Sequence, residues 1–226
     1  AAPLVLGQSV ALSGVGAALA QPFQQGAKLY FDRVNAAGGV GGRPIELATL
    51  DDAGVPEQAA ANTQKLLARS PLALFGYYGS PQVTASYKLI KDSDVLLLAP
   101  MAGGDEFRGA VYPNVFTLRP GYAEEAAAVM RHAATLGARK LALLHAPDTE
   151  SLAALESAEN TLNGLGANLV FKGAITAHAQ ALAAKPESVL VIGDARGAAA
   201  AIRELRGLGF RGPVYGFSNT GESLLA

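Results

Sequence analysis

The 226-residue chain contains no cysteine and no tryptophan, and only three histidines. Without cysteine there are no structural disulfides, no thiolate zinc sites and no thiol catalysis. An excess of either charge is missing too. Eighteen Lys and Arg against nineteen Asp and Glu leave a formal net charge of −1. That balance argues against a nucleic-acid surface and against a basic membrane-binding face. No apolar run approaches the roughly 20 residues needed to span a bilayer, so direct membrane insertion is not expected. His132, His145 and His178 fall in unrelated contexts, and none shows a metal-binding spacing such as H-E-x-x-H. G-x-S-x-G, G-x-G-x-x-G and P-loop patterns are also missing. Neither catalytic residues nor metal ligands nor cofactors are therefore assigned.

What is present is a globular, strand-and-helix pattern. Half the residues are hydrophobic and 16% are charged, enough apolar material for one large core or two small ones. Leu4–Leu12 has the length and composition of a buried strand, broken by Ser13-Gly14-Val15-Gly16. From Gln21 to Asn35, Phe23, Ala27, Tyr30, Phe31 and Val34 recur at helical spacing, which predicts a helix laid on a sheet. A glycine cluster (Gly38, Gly39, Gly41, Gly42) ends it. Ile45–Leu50 then reads as a second strand, with Asp51-Asp52 at its carboxyl end bracing the next turn. Further strands are expected at 72–75, 95–98 and 115–118. Helices are expected at 56–68 and 82–91, the latter opened by Ser80 as N-cap and Pro81 as first residue.

Arg119-Pro120-Gly121 is a break of the kind that separates domains. A second series follows, with helices at 123–136, 151–165, 177–184 and 195–208. Its strands are expected at 140–145, 168–172, 188–192 and 213–216. Alternation of this kind predicts α/β architecture with two doubly wound parallel sheets, in lobes spanning 1–119 and 120–226.

The wording LSG, then QQGAKLYFDRVNAAGGVGGRPIEL, then DDAGVPEQAAANTQKLL resembles the leucine/isoleucine/valine-type solute-binding proteins. These are the type I periplasmic binding proteins of ABC importers. The resemblance implies two lobes with a ligand in the cleft between them, and a periplasmic, exported protein. It implies delivery of a small carboxylate-bearing solute to an ABC permease in the inner membrane. Ala1-Ala2-Pro3 reads as the residue set just after a signal-peptidase site. Family members are longer, so the second lobe is expected to be incomplete and the chain truncated at its C-terminus. A ligand-sensing regulatory domain of the same fold is the alternative, with a doubly wound enzyme behind it.

The same resemblance implies site residues, each with a plainer role beside it. Ser80 aligns with the serine that holds the ligand carboxylate, although it also suits a helix cap. Met101 and Gly103 lie in the ligand-contacting loop, where Gly103 replaces a threonine, or form an ordinary loop. Leu19 stands where relatives carry an aromatic pocket residue, or packs beneath the loop. Tyr77 and Tyr78 suit an apolar ligand body, or simply pack. In the second lobe the expected tyrosine is missing. Asp148 or Thr149 either caps a helix or faces the cleft. Asp194 is a natural N-cap that can also meet an ammonium. Ser218 aligns with the acidic residue that binds the ligand amine, which makes an acid without an amine a plausible ligand.

Overall fold

The computed structural model describes residues 1–221 and divides the chain into two compact units, Ala1–Arg119 and Pro120–Ala226. In the first, five parallel strands alternate with helices. They are β1 (Leu4–Val10), β2 (Ile45–Asp51), β3 (Ala73–Phe75), β4 (Leu97–Leu98) and β5 (Val115–Phe116). The helices are α1 (Ala17–Ala36), α2 (Pro56–Leu67) and α3 (Ser80–Tyr87). The sheet order is β2-β1-β3-β4-β5, with β1 and β2 in register from Leu4–Ile45 to Val10–Asp51.

Strand alternation produces two cores, because successive side chains point to opposite faces. Leu74 of β3 is fully buried among Leu66, Val83 and Ile90, on the face covered by α2 and α3. Its neighbour Phe75 turns the other way and meets Phe31 of α1 edge-on, 5.5 Å between ring centroids. Seating Phe31 on the sheet rotates Tyr30 outward by about 100° around the helix. Tyr30 is accordingly 63% exposed, and Ala20 is the buried residue of α1. Tyr30 thus leaves the expected apolar face. The helix also starts earlier than the pattern suggested. Gly16 adopts a left-handed conformation (φ 88°) and lets α1 begin at Ala17, so Pro22 lies inside it.

The second unit carries β6 (Lys140–His145), β7 (Asn168–Ala174), β8 (Ser188–Ile192) and β9 (Val214–Gly216) in the order β7-β6-β8-β9. Its helices are α4 (Tyr122–Thr135), α5 (Thr149–Gly164), α6 (His178–Ala183) and α7 (Ala195–Gly207). Leu141, Leu143, Leu190 and Ile192 pack with α4 and α5, while Ala142, Leu144, Val189 and Val191 pack with α6 and α7. Both sheets are parallel throughout, and in this one helices cover both faces, the doubly wound architecture expected. Two short 3-10 helices, Asp105–Arg108 and Ser218–Thr220, occupy segments where no helix or strand was expected. None of the described helices is long and apolar enough to cross a membrane.

Leu143 is fully buried on an inner strand, whereas Leu152 of α5 is 44% exposed. Truncating Leu143 to Ala removes core contacts and leaves a cavity, an expected loss of about 2–5 kcal/mol in urea unfolding. Leu152→Ala should stay within about 0.5 kcal/mol. Equal losses at the two positions would refute this assignment of the core.

Candidate functional site

The carboxyl edge of the first sheet is built from loops that carboxylates hold in place. Asp51, at the end of β2, reaches across to the β1–α1 loop. Its Oδ1 accepts from Leu12 N (2.9 Å), Ser13 N (3.2 Å) and Ala53 N (2.8 Å), and its Oδ2 accepts from Ser13 Oγ (2.6 Å). The Ser13 hydroxyl, with the backbone amides behind it, holds the Asp51 carboxyl below its ordinary value. Asp52 points inward and is fully buried. It accepts from Ser9 Oγ (2.8 Å) and Gly54 N (2.9 Å), but desolvation outweighs these bonds and raises its pKa. The pair braces the turn, as expected, through two opposite environments.

Beside this loop lies the segment 77–80. Tyr77 is fully buried, and its hydroxyl meets Thr63 Oγ1 at 2.8 Å, so burial pushes its pKa well above the phenol range. It is a core residue. Tyr78, Leu19 and Met101 come together with Val10, Ala11 and Ala20 in a separate apolar cluster. The Tyr78 ring lies over Gly16, where a Cβ would come within 2.5 Å of Cε1. Tyr78 also forms a parallel bridge with Met101, so the 101–104 loop runs alongside 77–80 as a continuation of the sheet. Met101 N donates to Tyr77 O (2.7 Å), and Gly79 N donates to Met101 O (3.0 Å). Gly103 is buried within that loop.

Ser80 is 2% exposed and is the first residue of α3 rather than its N-cap. Gly79 takes the cap position with φ 96° and ψ 131°, a backbone conformation open to glycine, and no side chain caps the helix. Ser80 Oγ instead accepts from Gly104 N at 2.9 Å. The start of a helix leaves its first amides without intrahelical acceptors, and Pro81 contributes none. The arrangement is a helix terminus with a hydroxyl fixed beside it, chemistry that suits a carboxylate. The expected residues Leu19, Tyr78, Ser80, Met101 and Gly103 all belong to this edge.

Two residues here escaped the sequence reading. Arg108 donates to Gly104 O (2.6 Å), Ala102 O (3.1 Å) and Arg119 O (2.8 Å), stapling the loop from below. Gln82 donates to Gly54 O (2.8 Å) and ties α3 to the β2–α2 loop. Neither lies in a sequence pattern that would have singled it out.

In the second unit, Asp148 caps α5, accepting from Ser151 N (2.9 Å) and Ser151 Oγ (2.7 Å). Asp194 caps α7 through Gly197 N (2.8 Å). Thr149 is the exposed first residue of α5. Ser218 begins a 3-10 helix and donates to Glu125 of α4, through its amide at 2.9 Å and through its hydroxyl. A carboxylate therefore stands beside the position where the sequence lacks one. Thr220 Oγ1 donates to Gly193 O (2.8 Å), and Phe217 stacks on Tyr122, 5.6 Å between centroids. The Tyr122 hydroxyl in turn donates to Glu150. Among the described residues, no group of three or more His, Asp or Glu is arranged to hold a metal ion.

Residues 3–226 match the sequence family described as Periplasmic binding protein. Among curated relatives, an amino acid binding protein of Pseudomonas aeruginosa is 23% identical over 177 residues, covering 77% of this chain and 47% of that protein. A leucine-, isoleucine-, valine-, threonine- and alanine-binding protein of the same organism is 30% identical over 91 residues, covering 40% of this chain and 24% of that protein. The chain thus spans less than half the length of these relatives. Among solved structures, an extracellular ligand-binding receptor from Verminephrobacter eiseniae superposes with a TM-score of 0.83 at 26% identity, covering 99% of this chain and 67% of that one.

Because Asp52 binds its proton more tightly folded than unfolded, its contribution to stability is greatest below the unfolded pKa and is lost as pH rises through the folded one. The stability of the native chain minus that of Asp52→Asn, from urea unfolding, should therefore fall between acid and neutral pH. A difference that rises over this range would show that Asp52 is stabilised as the anion.

Proposed function

The chain belongs to the periplasmic binding protein family, and from that premise we propose that it is a non-catalytic solute-binding protein for a small carboxylate-bearing ligand. The ligand is captured and handed to an ABC permease in the inner membrane, which places the protein in the periplasm. The carrying observation is the α3 terminus, where Ser80 Oγ is fixed by the Gly104 amide at 2.9 Å. A hydroxyl can donate as well as accept, and donation is the polarity a carboxylate oxygen requires. Tyr78, Leu19 and Met101 supply an apolar wall beside it.

The second unit bears on the ligand class. Ser218 provides no carboxylate, but Glu125 is held against it by two hydrogen bonds. An acceptor for an ammonium is thereby retained, which keeps amino acids in the class alongside aliphatic and aromatic acids. Asp148 and Asp194 each cap their own helix. The curated relatives named as amino-acid-binding proteins support the same reading.

The mechanism is hinge closure. A ligand that contacts both units favours the closed state only by its extra contacts there, so the second unit sets how firmly closure follows binding.

A thermal-shift screen of amino acids, aliphatic acids and aromatic acids tests the proposal. A ligand at a hundred times its Kd should add about 2.7 kcal/mol of stability. Ser80→Ala should abolish the shift for every ligand, and Glu125→Gln should abolish it for ligands bearing an amine only. Shifts that survive Ser80→Ala would overturn the carboxylate site. Turnover of the stabilising compound would overturn the non-catalytic assignment.

A further inference from the structure

The amino edge of the second sheet, opposite the edge bearing Asp148, Asp194 and Ser218, contains a cavity of about 220 Å³. At about 30 Å³ per water in the liquid, that volume corresponds to roughly seven waters. Met130, Ala133 and Leu141 form part of its apolar lining, with Arg139, Asn168 and Ser188 supplying the polar groups. Its origin is local. Helices α4 and α5 end at this edge in left-handed turns at Gly137 and Gly166 (φ 77° and 73°), and the residues that follow are alanines, too small to fill the gap between helix ends and strand starts. The helix ends carry exposed leucines at their C-caps, Leu136 and Leu165, which add apolar surface at the same edge.

The electrostatics choose the ligand. Partial negative charge at two helix C-termini disfavours an anion, but turn amides already occupy several of the terminal carbonyls. Ala133 O accepts from Leu136 N and Ala138 N, and Leu162 O accepts from Ala167 N. Glu187 is the carboxylate of this edge, and it accepts the backbone amides of Arg139 and Lys140, which lower its pKa. Arg139 lines the cavity, and its guanidinium acts on Glu187 through charge alone, with no hydrogen bond or ion pair among the described residues. We propose that this cavity is a second small-molecule site, which takes a short aliphatic carboxylate with its chain on the alanine and leucine lining and its head at Arg139. The ligand edge lies at the far end of β6, about 17 Å away for five residue steps, so occupancy here is independent of the function proposed above.

The test is an amide-shift NMR titration of the 226-residue protein with hexanoate, hexanol and hexylammonium. In Ser80→Ala, which removes the carboxylate site proposed above, hexanoate should give saturable shifts concentrated in residues 133–141 and 166–168, hexanol weaker ones at the same places, and hexylammonium none. Arg139→Gln should weaken hexanoate about tenfold, the loss of one charge-assisted contact. Ala134→Leu, which fills the cavity from α4, should abolish binding. Arg139 is exposed, so its variant folds whatever the helix substitution does. Hexanoate shifts that do not saturate or that centre on Ser218 and Asp194 overturn the proposal, as do equal binding of hexylammonium and affinity unchanged in Arg139→Gln.

Discussion

Where regular structure gives way to a loop, the backbone amides lose their ladder partners and need other acceptors. In this chain carboxylates meet that demand repeatedly. Asp51 takes three amides, Asp52 takes Gly54 N, Asp148 and Asp194 each take the third amide beyond them, and Glu187 takes Arg139 N and Lys140 N. Most of the acidic residues that invite a chemical role from sequence are thus occupied in fixing loop geometry. The adjacent pair Asp51 and Asp52 shows how far environment governs the result. One is held low by donors around it and the other is raised by burial.

The loop at 101–104 is secured by the complementary device. Gly104 N donates to Ser80 Oγ while Gly104 O accepts from Arg108, so both backbone polar groups of one residue are committed. Arg108 also reaches Ala102 O and Arg119 O, joining the loop to the last residues of the first unit. A planar guanidinium has five donors in a fixed fork, enough to hold three carbonyls at once. A loop restrained from two sides presents backbone groups at defined positions. That is what a binding edge requires of residues that, like Gly103, have no side chain to offer.

The architecture was legible because it follows from periodicity. Alternating residues of β6 and β8 feed two different cores, and the strand boundaries at 140–145 and 188–192 coincide with those read from the sequence. The shortest strands were not legible to that accuracy. β4 and β5 keep two residues each, because pairing alone defines them and apolar composition continues past it. Tyr30 matched a helical face by spacing, yet the choice between it and Phe31 depended on where Phe75 stood across the sheet. Ser80 read as a cap because Ser-Pro usually opens a helix one residue later. The left-handed freedom of Gly79 moved the boundary back by one. Arg108 gave no signal at all, since its partners are backbone carbonyls.

Glu125 illustrates why residue matching narrows a ligand class less than it promises. Alignment registers Ser218 as the loss of an acidic side chain, and taken alone that loss removes amines from consideration. The carboxylate returns from α4, 93 positions earlier in the chain, and the serine becomes its hydrogen-bond donor. A ligand responds to the position of oxygen atoms and their charge, not to the chain position that supplies them. The two edges, taken one at a time, differ in polarity. The first offers a helix N-terminus and a hydroxyl, and the second offers Glu125 and Glu150. Under the proposed function that difference favours a ligand carrying both charges over a simple acid, because a lone carboxylate gains nothing from an acidic second edge.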